Sequence, residues 1–465
     1  MVKTLIAAFD GLQSFQITSE LMPTVSEIAD NGVRFLHNHC VFPTVTRANS
    51  ASLFTGVKPG THGLTANNSV FTDIDATELV DALVPKLSDI NRHTDGKLLF
   101  VPTLGELIHD KNLKWISVVG GTSGNAFVQH PNASTFGHVV IHSEFTDPPG
   151  HHEVIQAKFG NWPPKQAPAV DLVKRTADVA IEYAMNLAPD VLMVWFPEPD
   201  TTQHVFGVDS RHAQAMYHHA DHQLGRLIEA INEKGHKPDT FIVSDHGYST
   251  IDEVIDVSKQ ISDAGFCVDG DSPDVVVAEN GGSVMLYTRK RSETITKRLL
   301  QWLSMCEWVG AIAVDGQHAN GEAYASLEDL GLGGIRSPDI VLTLRSVKCS
   351  GGRENTFKGV STGGEPGAGT HGGGSSAEMH NVMIAHGPSF KNGYKSELPS
   401  GNIDLLPTIL YVLSIEVPDH VEGRVLEEAL VDSVKLQGES RAQLVVGKST
   451  RTVNLNGVKY LCEFS

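Results

Sequence analysis

The chain alternates between short runs of hydrophobic residues and longer stretches in which apolar positions recur with helical spacing. The runs at 5–9, 190–196 and 240–244 contain few polar residues, as expected for strands that are buried on both faces of a parallel sheet. Apolar residues at three-and-four spacing over 213–231 predict a long amphipathic helix. This alternation predicts an α/β fold in which helices flank a central, mostly parallel sheet.

The second half of the chain predicts two further features, a smaller α+β portion and a C-terminal β extension. Residues 265–350 alternate short strands with a helix, which predicts a smaller α+β portion within a main domain of residues 1–432. Residues 433–465 predict a C-terminal β extension that contains a hairpin. The Pro- and His-rich stretch at 148–152 is expected to be a surface loop.

Composition and charge narrow the range of functions. The formal net charge is -19, so the protein would repel the phosphate backbone of a nucleic acid and an anionic membrane surface. Five cysteines are scattered without a CxxC spacing, which favours reduced thiols in a cytoplasm. No apolar run predicts a membrane span. We therefore expect a cytoplasmic protein with neither a nucleic-acid polymer nor a membrane as partner, and the oligomeric state stays open.

Residues with metal-ligand chemistry follow the predicted strands or lie in predicted loops. These are three carboxylates and three imidazoles: Asp10, Asp200, Asp245, His204, His246 and His371. The carboxyl ends of parallel strands meet at one edge of a sheet, so we expect these side chains to lie close together. Mixed nitrogen and oxygen ligands suit zinc, and also manganese or iron. Six ligands are enough for two divalent ions with three protein contacts each.

Thr46 is the candidate nucleophile. Residues 47–54 contain few helix breakers, and Gly56 and Pro59 would end the predicted helix. Backbone N–H groups at a helix start are unpaired and face any anion placed there, so a hydroxyl at this point could attack phosphorus. A threonine before a helix is more often only an N-cap, and the nearby metal ligands are what favour the catalytic interpretation.

These residues occur in motifs that resemble the alkaline phosphatase superfamily, in particular its nucleotide pyrophosphatase/type I phosphodiesterase branch. The matching segments are FDG at 9–11, PTVTRANSASLFTGVKPGTHGLTANN at 43–68, PEPDTTQH at 197–204, SDHG at 244–247, THGG at 370–373, AHGPSF at 385–390 and IDLLPTILYVLSIEVPDHVEGRVL at 403–426. They are spread over most of the chain in the family's order. The resemblance implies an alkaline-phosphatase-like catalytic domain over residues 1–432.

The resemblance also implies specific roles. Two metal-binding groups are implied, one of Asp200, His204 and His371 and the other of Asp10, Asp245 and His246. Thr46 would be the nucleophile beside the second of these groups, and Asn67 would donate to a phosphoryl oxygen. Relatives that take nucleotides often have an aromatic or apolar residue after the nucleophile, whereas this chain has Arg47. Arg47 could bind a second anionic group of the substrate, or it could point to water from the helix surface.

The leading hypothesis is a two-metal phosphohydrolase that acts on a small phosphorylated substrate. It would cleave phosphodiester or pyrophosphate bonds through a covalent phospho-threonine intermediate. Phosphomonoester hydrolysis, phosphonate hydrolysis and phosphoryl transfer to a second hydroxyl stay open. A non-catalytic metal-binding protein is disfavoured because it would not need the nucleophile. A sulfatase is disfavoured because Thr46 cannot supply the aldehyde that the sulfatase branch makes from Cys or Ser.

Overall fold

The computed structural model describes residues 1–270, 272–316, 324–349, 356–432, 442–447 and 449–465. Its largest sheet has nine strands, which run across the sheet in the order Tyr394–Gly401, Val33–His39, Met383–His386, Asp239–Val243, Thr4–Phe9, Val191–Phe196, Trp115–Val119, Val139–His142 and Thr146–Asp147. Five of the eight neighbouring pairs are parallel. The predicted α/β fold with a mostly parallel central sheet is therefore confirmed.

The strand Thr4–Phe9 lies at the centre of this sheet and is buried along its whole length. It pairs in parallel with Val191–Phe196 on one side and with Asp239–Val243 on the other. Its side chains alternate between the two faces, so that Phe9 joins one hydrophobic cluster and Ala8 joins another. Because the three strands run in the same direction and in register, the residues that follow them emerge at one edge of the sheet.

Helices cover both faces of the sheet. One face packs against Pro23–Asp30, Val170–Glu182 and Arg211–Glu233, and the other packs against Thr46–Thr55 and Leu405–Val412. The other α-helices are Pro59–His62, Lys86–His93, Leu104–His109, Ser123–Gln129, Gly150–Phe159, Asp200–Phe206, Val257–Asp263, Glu293–Leu303 and Ser376–Met379. Short 3-10 helices span Ser14–Gln16, Ala133–Phe136, Ala184–Leu187, Arg289–Arg291, Asn402–Asp404 and Glu427–Ala429. None of the helices in the described part of the chain combines the length and the apolar character needed to cross a membrane.

Four smaller sheets complete the structure. The five-stranded sheet contains, in spatial order, Val275–Glu279, Ser283–Thr288, Ile340–Leu344, Val309–Val314 and Ala325–Ser326. With the helix Glu293–Leu303 it forms the predicted smaller α+β portion. The four-stranded sheet contains Ser346–Lys348, Phe357–Ser361, Ser249–Val254 and Gly369–Thr370, and a two-stranded sheet pairs Asn68–Val70 with Leu79–Asp81. The three-stranded sheet contains Gln443–Val446, Thr450–Leu455 and Val458–Phe464.

Two local predictions need correction, and one could not be tested. The stretch at 148–152 is not only a loop, because the helix Gly150–Phe159 begins within it, directly after Pro149 at the N-cap. The predicted C-terminal hairpin, which pairs residues 444–446 with the stretch that begins at 453, is part of a three-stranded antiparallel sheet, since a third strand, Val458–Phe464, pairs with Thr450–Leu455. The domain boundary between residues 432 and 433 stays a prediction, and residues 433–441 lie outside the described residues.

Candidate active site

Thr46 is the first residue of the helix Thr46–Thr55, which we call the nucleophile helix. The extended residue before it, Val45, is the N-cap, so Thr46 is not a capping residue. All ten residues of the helix are buried, and Thr46 itself is 8% exposed. Its Oγ1 lies 3.2 Å from Nε2 of His246. The hydroxyl therefore faces one of the predicted metal ligands.

The first ligand cluster consists of Asp10, Asp245 and His246, which are all buried. His246 Nε2 lies 3.1 Å from Asp245 Oδ2 and 3.9 Å from Asp10 Oδ1. Each of the other two carboxylate oxygens accepts a hydrogen bond of 3.0 Å. Trp195 Nε1 donates to Asp10 Oδ2, and the Gly11 N–H donates to Asp245 Oδ1. Within the described residues, Asp10 Oδ1 and Asp245 Oδ2 accept no hydrogen bond. Buried, unpaired carboxylate oxygens beside an imidazole fit a bound cation.

The second ligand cluster consists of Asp200, His204 and His371. Oδ1 of Asp200 lies 3.2 Å from His204 Nε2 and 3.5 Å from His371 Nε2, and the two Nε2 atoms are 3.1 Å apart. The Nδ1 atoms of His204 and His371 lie 3.2 and 2.8 Å from the carbonyl oxygens of Gly369 and Thr44. Because a carbonyl oxygen accepts a hydrogen bond from an N–H, each of these Nδ1 atoms carries the proton of the neutral ring. The Nε2 atom of each ring then offers its lone pair to a metal. The ligands of a tetrahedral zinc ion lie about 3.3 Å apart, which matches this spacing.

The two clusters adjoin and form one site. The rings of His246 and His371 stack with centroids 3.8 Å apart. Ligand atoms of Asp200, His246 and His371 also lie within 4.8 Å of one another. Asp200 and His204 share one face of the short helix Asp200–Phe206, because they are four residues apart. The structure thus brings all six predicted ligands and Thr46 together, while their individual roles stay predictions.

The charges in this site are strongly coupled. Burial raises the pKa of Asp10 well above its usual range, and the neighbouring carboxylates Asp245 and Asp200 raise it further. Burial alone would lower the pKa of His246, but Asp245 and Asp10 outweigh burial and raise it to about 9. Burial alone would raise the pKa of Asp200, but His204 holds it well below its usual range. Three buried carboxylates therefore need compensating positive charge, which divalent ions would supply.

Asn67 and Arg47 lie at the start of the nucleophile helix. The backbone N–H of Arg47 donates to Asn67 Oδ1 at 3.0 Å, which leaves the Asn67 amino group as a donor at this end of the helix. Arg47 is 9% exposed, and its guanidinium donates from Nη1 to Asp81 Oδ1 at 2.9 Å. Burial lowers the pKa of Arg47, and Asp81 counteracts this effect. The expectation that Arg47 could point to water is therefore wrong, and its contact with substrate stays a prediction.

Two residues at the site were missed by the sequence analysis. The Tyr248 hydroxyl donates to Asp200 Oδ1 at 2.5 Å. The ammonium of Lys165 lies 4.0 Å from Asp200 Oδ2. Tyr248 follows the SDHG motif directly, and its position could have suggested a supporting role. Lys165 lies in a proline-flanked stretch that is part of no motif, so the sequence carried no signal for it.

A cavity of about 500 Å³ opens beside the second ligand cluster. Its polar lining includes Arg47, Asn67, Asn68, Asp81 and Glu279. Apart from the imidazoles of the second ligand cluster, no aromatic ring from the described part of the chain lines this cavity. The cavity therefore offers charged and hydrogen-bonding groups to the part of a substrate that enters it.

The fold places a buried hydroxyl and two adjoining sets of nitrogen and oxygen ligands at the carboxyl edge of a mostly parallel sheet. Such an arrangement of a hydroxyl among ligands of metal type is typical of metal-assisted hydrolases. The chain belongs to the type I phosphodiesterase/nucleotide pyrophosphatase family, whose profile matches residues 4–341. The predicted family is confirmed, and it is a family of hydrolytic enzymes.

Individual relatives are distant in sequence. Bis(5'-adenosyl)-triphosphatase ENPP4 of Pongo abelii is 22% identical over 425 residues, which cover 89% of this chain and 78% of the relative. Venom phosphodiesterase 2 of Crotalus adamanteus is 22% identical over 257 residues, which cover 53% of this chain and 27% of the venom protein.

Solved structures of ectonucleotide pyrophosphatase/phosphodiesterase 5 (ENPP5) share the fold. The murine protein, an inactive Thr-to-Ala variant in complex with AMP, aligns with a TM-score of 0.59, and the human protein aligns with a TM-score of 0.61. Each is 18% identical to this chain, and the alignments cover 90% of this chain and 96% of ENPP5.

Proposed function

We propose that this protein is a two-metal phosphodiesterase that cleaves phosphodiester or pyrophosphate bonds in small phosphorylated substrates through a covalent intermediate on Thr46. The observation that carries the proposal is the position of Thr46 Oγ1, 3.2 Å from His246 Nε2 at the junction of the two ligand clusters. Family membership supports the reaction class. The inactive Thr-to-Ala variant of murine ENPP5 supports a role for a threonine.

Zinc is the metal that we propose for both ligand clusters. The imidazole and carboxylate ligands, with separations of 3.1–3.5 Å in the second cluster, support zinc, although manganese or iron would accept the same ligand types. When bound, two divalent ions would neutralise charge on the attacking and leaving oxygens of the phosphoryl group. The three carboxylates contribute -3 and two divalent ions would contribute +4, so the loaded site would attract an anionic phosphate.

The chain's own residues supply the nucleophile and the orientation of the substrate. Thr46 Oγ1 gives up its proton to solvent and attacks phosphorus, and the bond to the leaving oxygen breaks with its electron pair on that oxygen. Water then hydrolyses the phosphoryl-threonine ester, which still carries the other substituent of the substrate, and releases Thr46. The N-terminus of the ten-residue nucleophile helix favours the negative charge of the phosphoryl group. The Asn67 amino group donates to a phosphoryl oxygen, since its Oδ1 is already bonded to the N–H of Arg47. Arg47 lines the adjoining cavity and contacts the substrate there.

We also propose a cytoplasmic location. All five cysteines are free thiols, and thiols persist in a reducing compartment. Cell fractionation that finds the protein mainly outside the cytoplasm would contradict this part of the proposal.

A substrate panel tests the proposed function. Metal-loaded protein is assayed on an aryl phosphodiester, a phosphomonoester, a phosphonate and a sulfate, before and after chelation. We expect the highest kcat/KM on the phosphodiester, loss of activity after chelation, and recovery when zinc is added back. A preference for the monoester or the phosphonate would replace the diesterase assignment with one of those activities. Absence of turnover on all four substrates by metal-loaded protein would contradict a hydrolytic function of this site.

A further inference from the structure

Glu378 is a buried carboxylate near the site that belongs to neither ligand cluster. It is 3% exposed and lies in the short helix Ser376–Met379. Its Oε2 accepts from the Gly373 N–H at 2.5 Å, and its Oε1 accepts from the Ser375 hydroxyl at 3.2 Å. A third donor, the hydroxyl of Thr44, lies 3.2 Å from Oε2. The carboxylate therefore connects the segment around residue 373 to the segment around residue 44.

The two segments that this carboxylate connects carry a predicted metal ligand and the predicted nucleophile. His371 lies two residues before Gly373, and Thr46 lies two residues after Thr44. The segments are also bonded to each other, since His371 Nδ1 donates to the Thr44 carbonyl at 2.8 Å. In addition, Thr44 Oγ1 accepts from the Gly372 N–H at 2.8 Å and lies 2.9 Å from the Gly373 carbonyl oxygen. A shift of either segment would therefore move His371 relative to Thr46.

The main chain of Glu378 contacts a third segment of the site. Its carbonyl oxygen accepts from the Gly247 N–H at 2.8 Å. Gly247 directly follows His246, whose Nε2 lies 3.2 Å from Thr46 Oγ1. A substitution of the Glu378 side chain keeps this backbone contact. The side chain therefore acts on the segments of His371 and Thr46, whereas the main chain supports the first ligand cluster.

Three consecutive glycines allow the segment that follows His371 to pack closely. A Cβ added at Gly373 would lie 2.7 Å from Glu378 Oε2. A Cβ added at Gly372 or Gly374 would lie 1.8 or 2.1 Å from a backbone carbonyl oxygen. Gly372 also has a φ of +100°, which side chains of the L configuration rarely adopt. Close packing around the Glu378 carboxylate thus accounts for this run of glycines.

A role in helix capping alone would not need all of these contacts. Ser375 is the N-cap of the helix, and its hydroxyl accepts from the Glu378 N–H at 3.3 Å. The Glu378 carboxylate extends beyond this cap to Gly373 and Thr44. Burial raises the pKa of Glu378, and the hydrogen bonds lower it. The cost of burying the carboxylate is therefore offset only while its donors stay in place, which favours a single arrangement of the two segments.

We propose that Glu378 is a positioning residue that fixes the distance between His371 of the second ligand cluster and the nucleophile Thr46. This inference rests on the proposed function, because it concerns the roles of those two residues. Glu378 acts here as a hydrogen-bond acceptor, so an amide of the same length can replace it. In Glu378→Gln, the amide oxygen would accept from Gly373 and the amino group would donate to the Ser375 hydroxyl. Glu378→Met keeps the length of the side chain but leaves the buried Gly373 N–H without an oxygen acceptor.

Metal affinity and turnover of the full-length protein test this role. Competition with a chromogenic chelator measures zinc binding, and kcat on an aryl phosphodiester is measured at saturating zinc. We expect Glu378→Met to weaken one of the two metal equivalents about 10- to 100-fold, because the orientation of His371 changes. It should lower kcat about 10- to 100-fold, because Thr46 is displaced. The other equivalent and KM should stay within about threefold, since the Gly247 contact and the cavity groups remain.

Conservative and control variants separate positioning from general stability. Glu378→Gln should recover most of the affinity and of kcat. The matched control is Glu428→Met, because Glu428 is also a buried carboxylate but pairs with Arg424 and contacts neither ligand cluster. It should lower the thermal unfolding midpoint and leave both metal affinities and kcat unchanged. If Glu378→Met does not fold, Thr44→Val replaces it and should show the same losses, and Thr44→Ser, which restores the hydroxyl, should recover most of them.

Hydrogen exchange of the metal-free protein gives a readout that is independent of activity. Amides in peptides that cover residues 369–374 should exchange about tenfold faster in Glu378→Met than in the wild type or in Glu378→Gln. Equal weakening of both metal equivalents, losses in Glu378→Gln as large as in Glu378→Met, or unchanged exchange would overturn the assignment of Glu378. Wild-type protein that binds no metal and hydrolyses no phosphodiester would contradict the proposed function, and the exchange result would then decide on Glu378 by itself.

Discussion

Tyr248 offers a test of whether a hydrogen bond from outside the ligand set orients a metal ligand. Its hydroxyl donates to Asp200 Oδ1 at 2.5 Å, and the residue is 2% exposed. Its ring packs on Gly11, where an added Cβ would lie 2.5 Å from a ring carbon. Tyr248→Phe keeps the ring and removes only the donor, so we expect the fold to be retained.

Two independent estimates give the size of the effect. Loss of a hydrogen bond that orients a metal ligand typically lowers metal affinity about 10- to 100-fold, which corresponds to about 1.4–2.7 kcal/mol. A hydrogen bond to a charged acceptor contributes about 1.5–3 kcal/mol. Because Asp200 belongs to the second ligand cluster, Tyr248→Phe should weaken one of two bound metal equivalents by this factor. The equivalent at the first ligand cluster should keep its affinity.

Competition with a chromogenic chelator measures both affinities. The matched control is Tyr411→Phe, because Tyr411 is 51% exposed and lies on the helix Leu405–Val412. The control should titrate like the wild type. Unchanged affinity in Tyr248→Phe, or equal weakening of both equivalents, would refute the orienting role of the Tyr248 hydroxyl.

Three further predictions concern the metals, Arg47 and a buried histidine. Chelation should lower the thermal unfolding midpoint and added zinc should restore it, because ions bind the native state preferentially; a midpoint that does not move in calorimetry would argue against resident metal. Arg47→Ala should change substrate preference more than turnover of a simple aryl diester, because the contact to Asn67 uses the backbone; equal losses on substrates with charged and uncharged tails would contradict this. Burial lowers the pKa of His62 from 6.5 to about 3. Between these two pH values the unfolded state binds more protons than the folded state, so the free energy of unfolding falls as the pH drops below 6.5. His62→Gln should therefore reduce the slope of unfolding free energy against pH by up to about 1.4 kcal/mol per pH unit in denaturant titrations, and an unchanged slope would mean that His62 is not neutral in the fold.

Part of the site could be predicted from sequence because the position of a site residue is determined by the strand or helix next to it in the chain. Asp10 and Asp245 directly follow, or nearly follow, strands that are apolar along their length. Parallel strands deliver such residues to one edge of a sheet, so proximity follows from the pattern. The start of the nucleophile helix is similarly local, since Gly56 in a left-handed conformation ends the helix that Thr46 begins.

The features that could not be predicted depend on contacts between segments that are distant in sequence. Asp81 pairs with Arg47 across 34 residues, and nothing in either local sequence indicates the partner. Lys165 reaches Asp200 only because the tertiary fold brings its loop to the site. The strand Met383–His386 is antiparallel to both of its neighbours, and a short apolar run does not encode strand direction.

Substitution of Thr46 separates nucleophilic attack from metal binding. Thr46→Ala keeps all six predicted ligands, so both metals should remain bound while turnover is lost. Loss of a positioned nucleophile typically costs several orders of magnitude in rate. Thr46→Ser should retain measurable activity, because it keeps the hydroxyl.

Acid quenching during turnover measures the covalent step most directly. Metal-loaded wild-type protein is quenched, digested with trypsin and analysed by fragmentation that distinguishes Thr46 from Thr44 in the peptide ending at Arg47. On a phosphodiester substrate, a covalent mechanism predicts that Thr46 of the wild type is esterified by a phosphoryl group that keeps the substrate's non-leaving ester, and that Thr46→Ala carries no such adduct. If Thr46→Ala with both metals bound hydrolyses phosphodiesters at a near wild-type rate, and the wild-type peptide carries no phosphoryl adduct, the covalent mechanism is wrong and water attacks phosphorus directly.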